Sequence, residues 1–290
     1  MPLLKLVNKL NRKLNSNNEF FKRIKYRHTT FWLNGNDKDN ISHRVQYATD
    51  SVEEWKDVEN WQRKLSNKHN SREFAIKFGC RVPYLYWQGR NFNSIPFDTL
   101  PDNYVIRPTT GAGGKMVFVM QKGLNLFDGH TYAPQQIIDV LSVAAAKKPD
   151  LEFLIEEFVT NEKGEFKIPD DYKLYMFNGK VACIQVINRQ SPSKGRVQFY
   201  DENWGNLKRV QFSYENGERQ DPPKCLPEML EYAKRISKEY QIFARIDFYA
   251  THNGAVFGEI TPTPFQGKGF TFFGNKLLIK YWDTYCKGLI

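Results

Sequence analysis

The stretch YVIRPTTGAGGKMVFVM, Tyr104 to Met120, joins a short apolar run, a knot of Gly and Thr ending in Lys115, and a second run of alternating hydrophobics. Period-two alternation marks strands with one buried face, so the knot reads as the tip of a hairpin. Gly111, Gly113 and Gly114 let backbone N–H groups approach phosphate oxygens, and Lys115 adds a cation. Neither familiar phosphate pattern fits. A P-loop needs Ser or Thr after its Lys, where this chain has Met116, and the dinucleotide fingerprint needs Gly at that same place. Taken alone, such a tip is more often a plain surface turn.

The chain has 290 residues, of which 41% are hydrophobic and 15% aromatic, the composition of a packed globular protein. No uncharged apolar run approaches the roughly 18 residues that span a bilayer, and the N-terminus lacks the apolar segment of a secretory signal. A soluble, cytoplasmic protein is expected. Cys80, Cys183, Cys225 and Cys286 lie too far apart for a close-pair zinc or redox motif and read as reduced packing residues. The histidines are equally scattered. A net charge of +10 implies anionic partners: nucleic acid, an anionic membrane, nucleotide phosphates or an acidic polymer. With no RNA-binding aromatic motif and no zinc finger, nucleic acid is disfavoured.

In MPLLKLVNKLNRKL, Leu3, Val7, Leu10 and Leu14 share one helical face and Lys5, Lys9, Arg12 and Lys13 lie elsewhere. This basic amphipathic arm either docks on the core or rests on an anionic membrane surface. Ser51 and Glu54 form a capping-box pattern that opens a helical segment breaking near Asn67 to Asn70. RVPYLYWQG reads as a strand, PQQIIDVLSVAAAKK as a helix and FLIEEFV as a strand. YKLYMFNGKVACIQVI is a hairpin turning at Asn178-Gly179; after the helix PEMLEYAKRISKEY, FARIDFYATHNGAVFGEIT is another, turning near Asn253-Gly254. Hairpins imply antiparallel sheets, hence an α+β fold rather than a doubly wound parallel one. The chain divides into a basic helical region 1–70, a segment 71–155 carrying the Gly-rich loop, and a segment 156–290 carrying the carboxylates discussed next.

Asp247 and Glu259 sit near the ends of successive strands of one hairpin, in apolar settings where an unpaired acid is costly. Something cationic must meet them. Magnesium suits two converging strand-borne carboxylates; a salt bridge to Arg245 or Lys173 is the structural alternative.

Read in order, these features resemble the ATP-grasp superfamily: Arg107-Pro108 at a strand end, the loop Gly111 to Lys115, EEFV at Glu156 to Val159, then Asp247 and Glu259. DYKLYMFNGKV and FGEITPTPFQGKGF are most similar to the TupA-like branch, associated with teichuronopeptide and other bacterial surface polysaccharides such as capsule. The likeness runs from about residue 70 to 275, with LPDNYVIRP and REFAIKFG included. It implies an ATP-grasp fold, two α+β subdomains gripping ATP behind the helical N-terminal region.

The resemblance also implies roles. Arg107, in place of the usual Lys, would hold the α- and β-phosphates. Gly111, Gly113, Gly114 and Lys115 would cover the phosphates, and Glu156, Glu157, Phe158 and Val159 would form the adenine hinge, with Glu156 accepting from the exocyclic amine. Asp171 would bind ribose. Lys173 would face phosphate or substrate, and Arg189 would steady the transferred phosphoryl group. Asp247 and Glu259 would bind magnesium, with Thr261 where the superfamily has a second-metal Asn, which leaves one or two metals open. The implied activity is an ATP-dependent ligase that phosphorylates a carboxylate and lets an amine displace phosphate. Its partners would be ATP, an acidic sugar or polysaccharide precursor and an amine or amino acid, with peripheral contact to an anionic inner membrane face as an option. A phosphotransferase acting on a sugar or glycan, or a nucleotide-binding protein without turnover, are the alternatives.

Overall fold

The computed structural model describes residues 17–32, 41, 44–111, 114, 116–148, 150–189, 191 and 194–288. Most of the basic arm, Met1 to Leu14, and the loop residues Gly113 and Lys115 lie outside the described residues. The described helices are α1 (Glu19–Trp32), α2 (Val52–Trp55), α3 (Lys68–Lys77), α4 (Pro134–Lys147), α5 (Leu226–Tyr240) and α6 (Phe272–Tyr285).

The Ser51 capping box is present: Glu54 N donates to Ser51 Oγ at 3.1 Å and Ser51 N donates to Glu54 Oε2 at 2.6 Å. Yet α2 runs for only four residues, so the break comes earlier than the polar run at Asn67 suggests. Asn60 adopts a left-handed φ of 59°, a 3₁₀ turn follows over Trp61–Ser66, and Asn67 restarts the chain as α3 by accepting from His69 N at 2.9 Å. The interruption buries Trp55 and Trp61 against Phe74, packing that a continuous helix would forgo.

One sheet comprises β1 (Leu85–Gly89), β2 (Asn103–Pro108), β3 (Phe118–Gln121), β4 (Leu124–Asn125), β5 (His130–Thr131) and β6 (Phe153–Glu157), ordered β1-β6-β2-β3-β4-β5 with every ladder antiparallel. Ile137 and Leu141 of α4 cover it, against Ile106, Phe118, Phe153 and Ile155. The other sheet comprises β7 (Asp171–Phe177), β8 (Lys180–Arg189), β9 (Gly195–Tyr200), β10 (Glu215–Asn216), β11 (Phe243–Thr251) and β12 (Gly254–Thr261), ordered β10-β9-β8-β7-β11-β12. Only its two-residue β9–β10 ladder is parallel. Asn178 and Gly179 both have positive φ, 46° and 84°, as a two-residue turn matched to strand twist requires. β9 carries no turn signal strong enough to have marked it in the sequence, whereas α6 opens on Thr271, whose Oγ1 accepts from Gly274 N at 2.9 Å.

Alternation on the second sheet builds the site. Leu174, Ile246 and Phe248 point to one face, into a core with Trp55, Met229 and Ile236. On the opposite face, Tyr175, Phe177 and Phe243 pack under α1 and α6 with Phe20, Ile24, Leu278 and Trp282. Lys173, Arg245 and Asp247 continue that second face beyond the helices, where it lines a cleft. Within the N-terminal region, α1 is thus a docked helix, with Phe20, Ile24 and Arg27 fully buried. No described helix is long and apolar enough to cross a membrane.

Candidate active site

A cleft of about 1570 Å³ lies between the sheets, with Arg107 and Glu156 on one wall and Lys173, Arg189, Asp247 and Glu259 on the other. The pairing of β11 with β12 decides its chemistry. Asp247 pairs with Glu259 and Phe248 with Phe257, leaving Gly258 as an extra, bulged residue. Without that bulge Glu259 would share the core face of Ile246; with it, the two carboxylates stand side by side facing the cleft. The bulge also turns the Gly258 carbonyl toward Arg107 of the other sheet, whose Nη1 donates to it at 3.2 Å.

Arg245 is the hub. Its Nε donates to Asp247 Oδ1 at 2.7 Å, and its Nη2 donates to Asp247 Oδ2 at 2.7 Å, Thr261 Oγ1 at 3.0 Å and Glu259 Oε1 at 3.3 Å. Lys173 Nζ also donates to Asp247 Oδ2. All three residues expected to hold a metal therefore converge on a single cationic nitrogen. Burial alone would push the Asp247 carboxyl up, but Arg245 and Lys173 more than offset it and hold the group below the usual carboxylate range. Burial alone would push the Arg245 guanidinium down, but Asp247 outweighs it and raises the group above its ordinary value.

The donor set is all oxygen, which suits a hard divalent cation, and in this structure the Arg245 guanidinium takes the place among these oxygens that such an ion would share. Glu259 is the carboxylate open to the cleft, its side chain 32% exposed, whereas the Asp247 side chain is 5% exposed and enclosed by its two cations. Among the described residues no group of three or more His, Cys, Asp or Glu side chains gathers. An ion here would share its shell with phosphate and water, as magnesium does.

On the opposite wall Arg107 grips Glu156 with two prongs, Nε to Oε2 at 2.6 Å and Nη2 to Oε1 at 3.2 Å, and Arg72 Nη1 lies 3.6 Å from the same carboxylate. Burial works against the Arg107 charge, but Glu156 outweighs it and raises the pKa. In this structure Glu156 holds two guanidinium groups. Phe158 and Val159 follow β6 without continuing its ladder and line the cleft. Glu157, exposed at the strand end, accepts from Tyr84 N at 3.1 Å.

Asp171 likewise orients cations. Its Oδ2 accepts from Arg189 Nε at 2.9 Å and from Nη2, and its Oδ1 is 3.6 Å from Lys173 Nζ. Arg189 Nη1 also reaches Tyr214 Oη at 3.2 Å. Gly111 and Gly114 lie at the cleft mouth.

Two contributors lie outside the expected set. Arg245 was legible, since a residue two positions before Asp247 on a strand shares its face. Lys68 had no local signal. It opens α3, its backbone N–H donates to Thr109 O at 2.8 Å, and its Nζ donates to Gly111 O at 3.2 Å and lies 3.9 Å from Glu259 Oε2. Burial pushes its pKa below the ordinary 10.5, with Glu259 pulling the other way. If Lys68 meets phosphate as an ammonium, nucleotide affinity falls as pH rises through that lowered pKa. Titrating the nucleotide dissociation constant from pH 7 to pH 10 should show this decline in the wild type and not in Lys68→Arg; parallel curves would remove Lys68 from the phosphate site.

Two sheets closing on a cationic cleft, one bearing a pair of neighbouring carboxylates on adjacent strands, define the ATP-grasp class of fold. The family described as TupA-like ATPgrasp matches residues 41–278, and the chain belongs to that family. ATP-grasp ligases as a superfamily use ATP and magnesium. No curated protein matches the chain. Among solved structures it is similar to D-alanine–D-alanine ligase from Bacillus anthracis (15% identity, 77% of this chain and 68% of that one, TM-score 0.49). It is also similar to VanG D-Ala:D-Ser ligase from Enterococcus faecalis (16%, 77% and 62%, 0.48) and to the ATP-grasp ligase PsnB complexed with minimal precursor (13%, 76% and 61%, 0.43). The chain spans only 55% of the ATP-complexed Bacillus anthracis ligase. The family match, and not these distant likenesses, carries the assignment.

Proposed function

We propose that the protein is an ATP-dependent carboxylate–amine ligase that joins an amino acid or amine to a carboxylated sugar, such as a hexuronic acid of a bacterial surface polysaccharide, at a cytoplasmic site. The observation that carries this reading is one cleft holding both the gathered cations and the oxygen donors. Its volume exceeds the roughly 300–1,000 Å³ of a single small-molecule site, which leaves room for a second substrate beside a nucleotide.

In this reading Arg107, with its charge secured by Glu156, holds phosphate oxygens from one wall while Lys173, Arg189 and Arg245 face them from the other. Aimed at the moving phosphoryl group before reaction, these cations offset its charge without reorganising. Magnesium held by Glu259, Asp247 and Thr261 would supply Lewis-acid polarisation of the phosphate oxygens. A carboxylate oxygen of the acceptor attacks the γ-phosphorus and ADP leaves. The amine nitrogen then attacks the acyl carbon, the C–O bond to phosphate breaks, and the amine's proton departs with inorganic phosphate. Asp171 serves this sequence by fixing the Arg189 guanidinium plane, with Lys173 beside it.

A hydroxylamine trap tests the chemistry. Incubating the protein with magnesium-ATP, pooled uronic acids and hydroxylamine should yield a hydroxamate and inorganic phosphate. A stable phosphorylated sugar with ADP and no inorganic phosphate would replace the ligase by a phosphotransferase, and no acceptor-dependent ADP at all would leave a nucleotide-binding protein without turnover.

A further inference from the structure

The family match begins at residue 41, so α1 stands outside it, yet α1 is built into the wall of the cleft. Arg27, fully buried, donates from Nη1 to Phe243 O at 2.6 Å and to Pro262 O at 3.2 Å, clamping the start of β11 to the residue that follows β12. The next turn of chain, Pro264–Gly267, takes a conformation that bulky L-residues avoid: Phe265 has φ 53° and ψ 19°, and Gln266 has φ 51° and ψ 35°. Gly267 continues it at φ 75° and lies so close to α1 that a Cβ there would meet Phe21 Cα at 2.8 Å and Ile24 Cβ at 3.0 Å. The left-handed turn therefore lies hard against α1 at Gly267.

The result of that path is an aromatic ring left open in a charged cleft. Phe265 is 44% exposed, lines the cleft, and lies with its ring 5.9 Å from the Arg245 guanidinium. Gln266 and Lys268, both exposed, line the cleft beside it. A flat apolar face, an amide and an ammonium within four residues match an acidic sugar: ring C–H groups against the aromatic, hydroxyls to the amide, carboxylate to the cation.

We propose that α1 and the left-handed Pro264–Gly267 turn together form the acceptor end of the cleft, with Phe265 as the platform for the apolar face of a uronic acid ring and Arg27 as the positioning residue that holds the turn. This rests on the carboxylated-sugar reading above. Saturation-transfer NMR of D-glucuronate and D-galacturonate on the full chain with magnesium-ADP tests it, with magnesium-ADP affinity measured on the same samples. Ring protons of at least one uronate should take up saturation in the wild type and in Phe265→Tyr, while Phe265→Leu should weaken uronate binding about tenfold at unchanged nucleotide affinity. Arg27→Met should cause a similar loss through the displaced turn. Undiminished uronate binding in Phe265→Leu overturns the platform, and this side chain is exposed, so the test stands even where Arg27→Met does not fold. Undiminished binding in folded Arg27→Met removes α1 from the site. Absence of uronate binding to a wild type that still binds magnesium-ADP overturns the carboxylated-sugar reading and this proposal with it.

Discussion

Asp247→Asn is expected to lower the unfolding free energy by about 3–5 kcal/mol and to abolish turnover. The substitution keeps volume, but Asp247 is the anion that Arg245 and Lys173 share, and its side chain is 5% exposed. An amide leaves two buried cations against a neutral group and turns N–H donors toward other donors. The loss is also pH-dependent. Because the folded-state pKa of Asp247 is depressed, its contribution is fully present above the ordinary carboxylate value of 3.8 and disappears as pH falls through the lower folded value. Urea titrations of wild type and variant at neutral pH should therefore differ widely, and the gap should close on acidification below pH 3.8. Equal midpoints at neutral pH would show that the ion cluster contributes nothing to the fold.

Glu259→Gln should separate chemistry from stability. This side chain is 32% exposed and its one contact to Arg245 is 3.3 Å long, so losing its charge should change the unfolding free energy by no more than about 1 kcal/mol. Its oxygens are the ones open to the cleft, and removing the carboxylate that would hold the metal against the phosphoryl group should cost on the order of 10²–10³ in rate. ADP release followed against magnesium concentration should show that fall together with a higher magnesium requirement. Wild-type turnover at wild-type magnesium would take Glu259 out of the metal site. The contrast between two carboxylates paired on adjacent strands follows from burial alone: one is enclosed by its cations, the other faces solvent.

Much of the fold was legible because its signals are local. Strand alternation around Tyr104–Pro108 and along Asp171–Phe177, the Asn178-Gly179 turn, and the Ser51–Glu54 capping box each depend on residues within a few positions of one another. The same is true of the residue types at the site, since a cation before Pro at a strand end and acids embedded in apolar strands are visible without any partner. By itself, then, the sequence determined the α+β class, the hairpins, and which charged residues required partners.

Partner choice was decided by the tertiary structure. Glu156 faces Arg107 because β6 and β2 are neighbours, a pairing between segments some fifty residues apart that no local pattern encodes. Asp171 meets Arg189 only through the register of β7 on β8. The helix expected after Ser51 stops at Trp55 because burying two tryptophans against α3 outweighs helix propensity. Alternation counted along β12 would have put Glu259 on the face of Phe257; the bulge at Gly258 inverts that parity and places Glu259 beside Asp247. Side-chain facing is set by hydrogen-bond register between strands, and register is a property of the folded sheet, so the charges could be read from the sequence while their convergence on Arg245 could not.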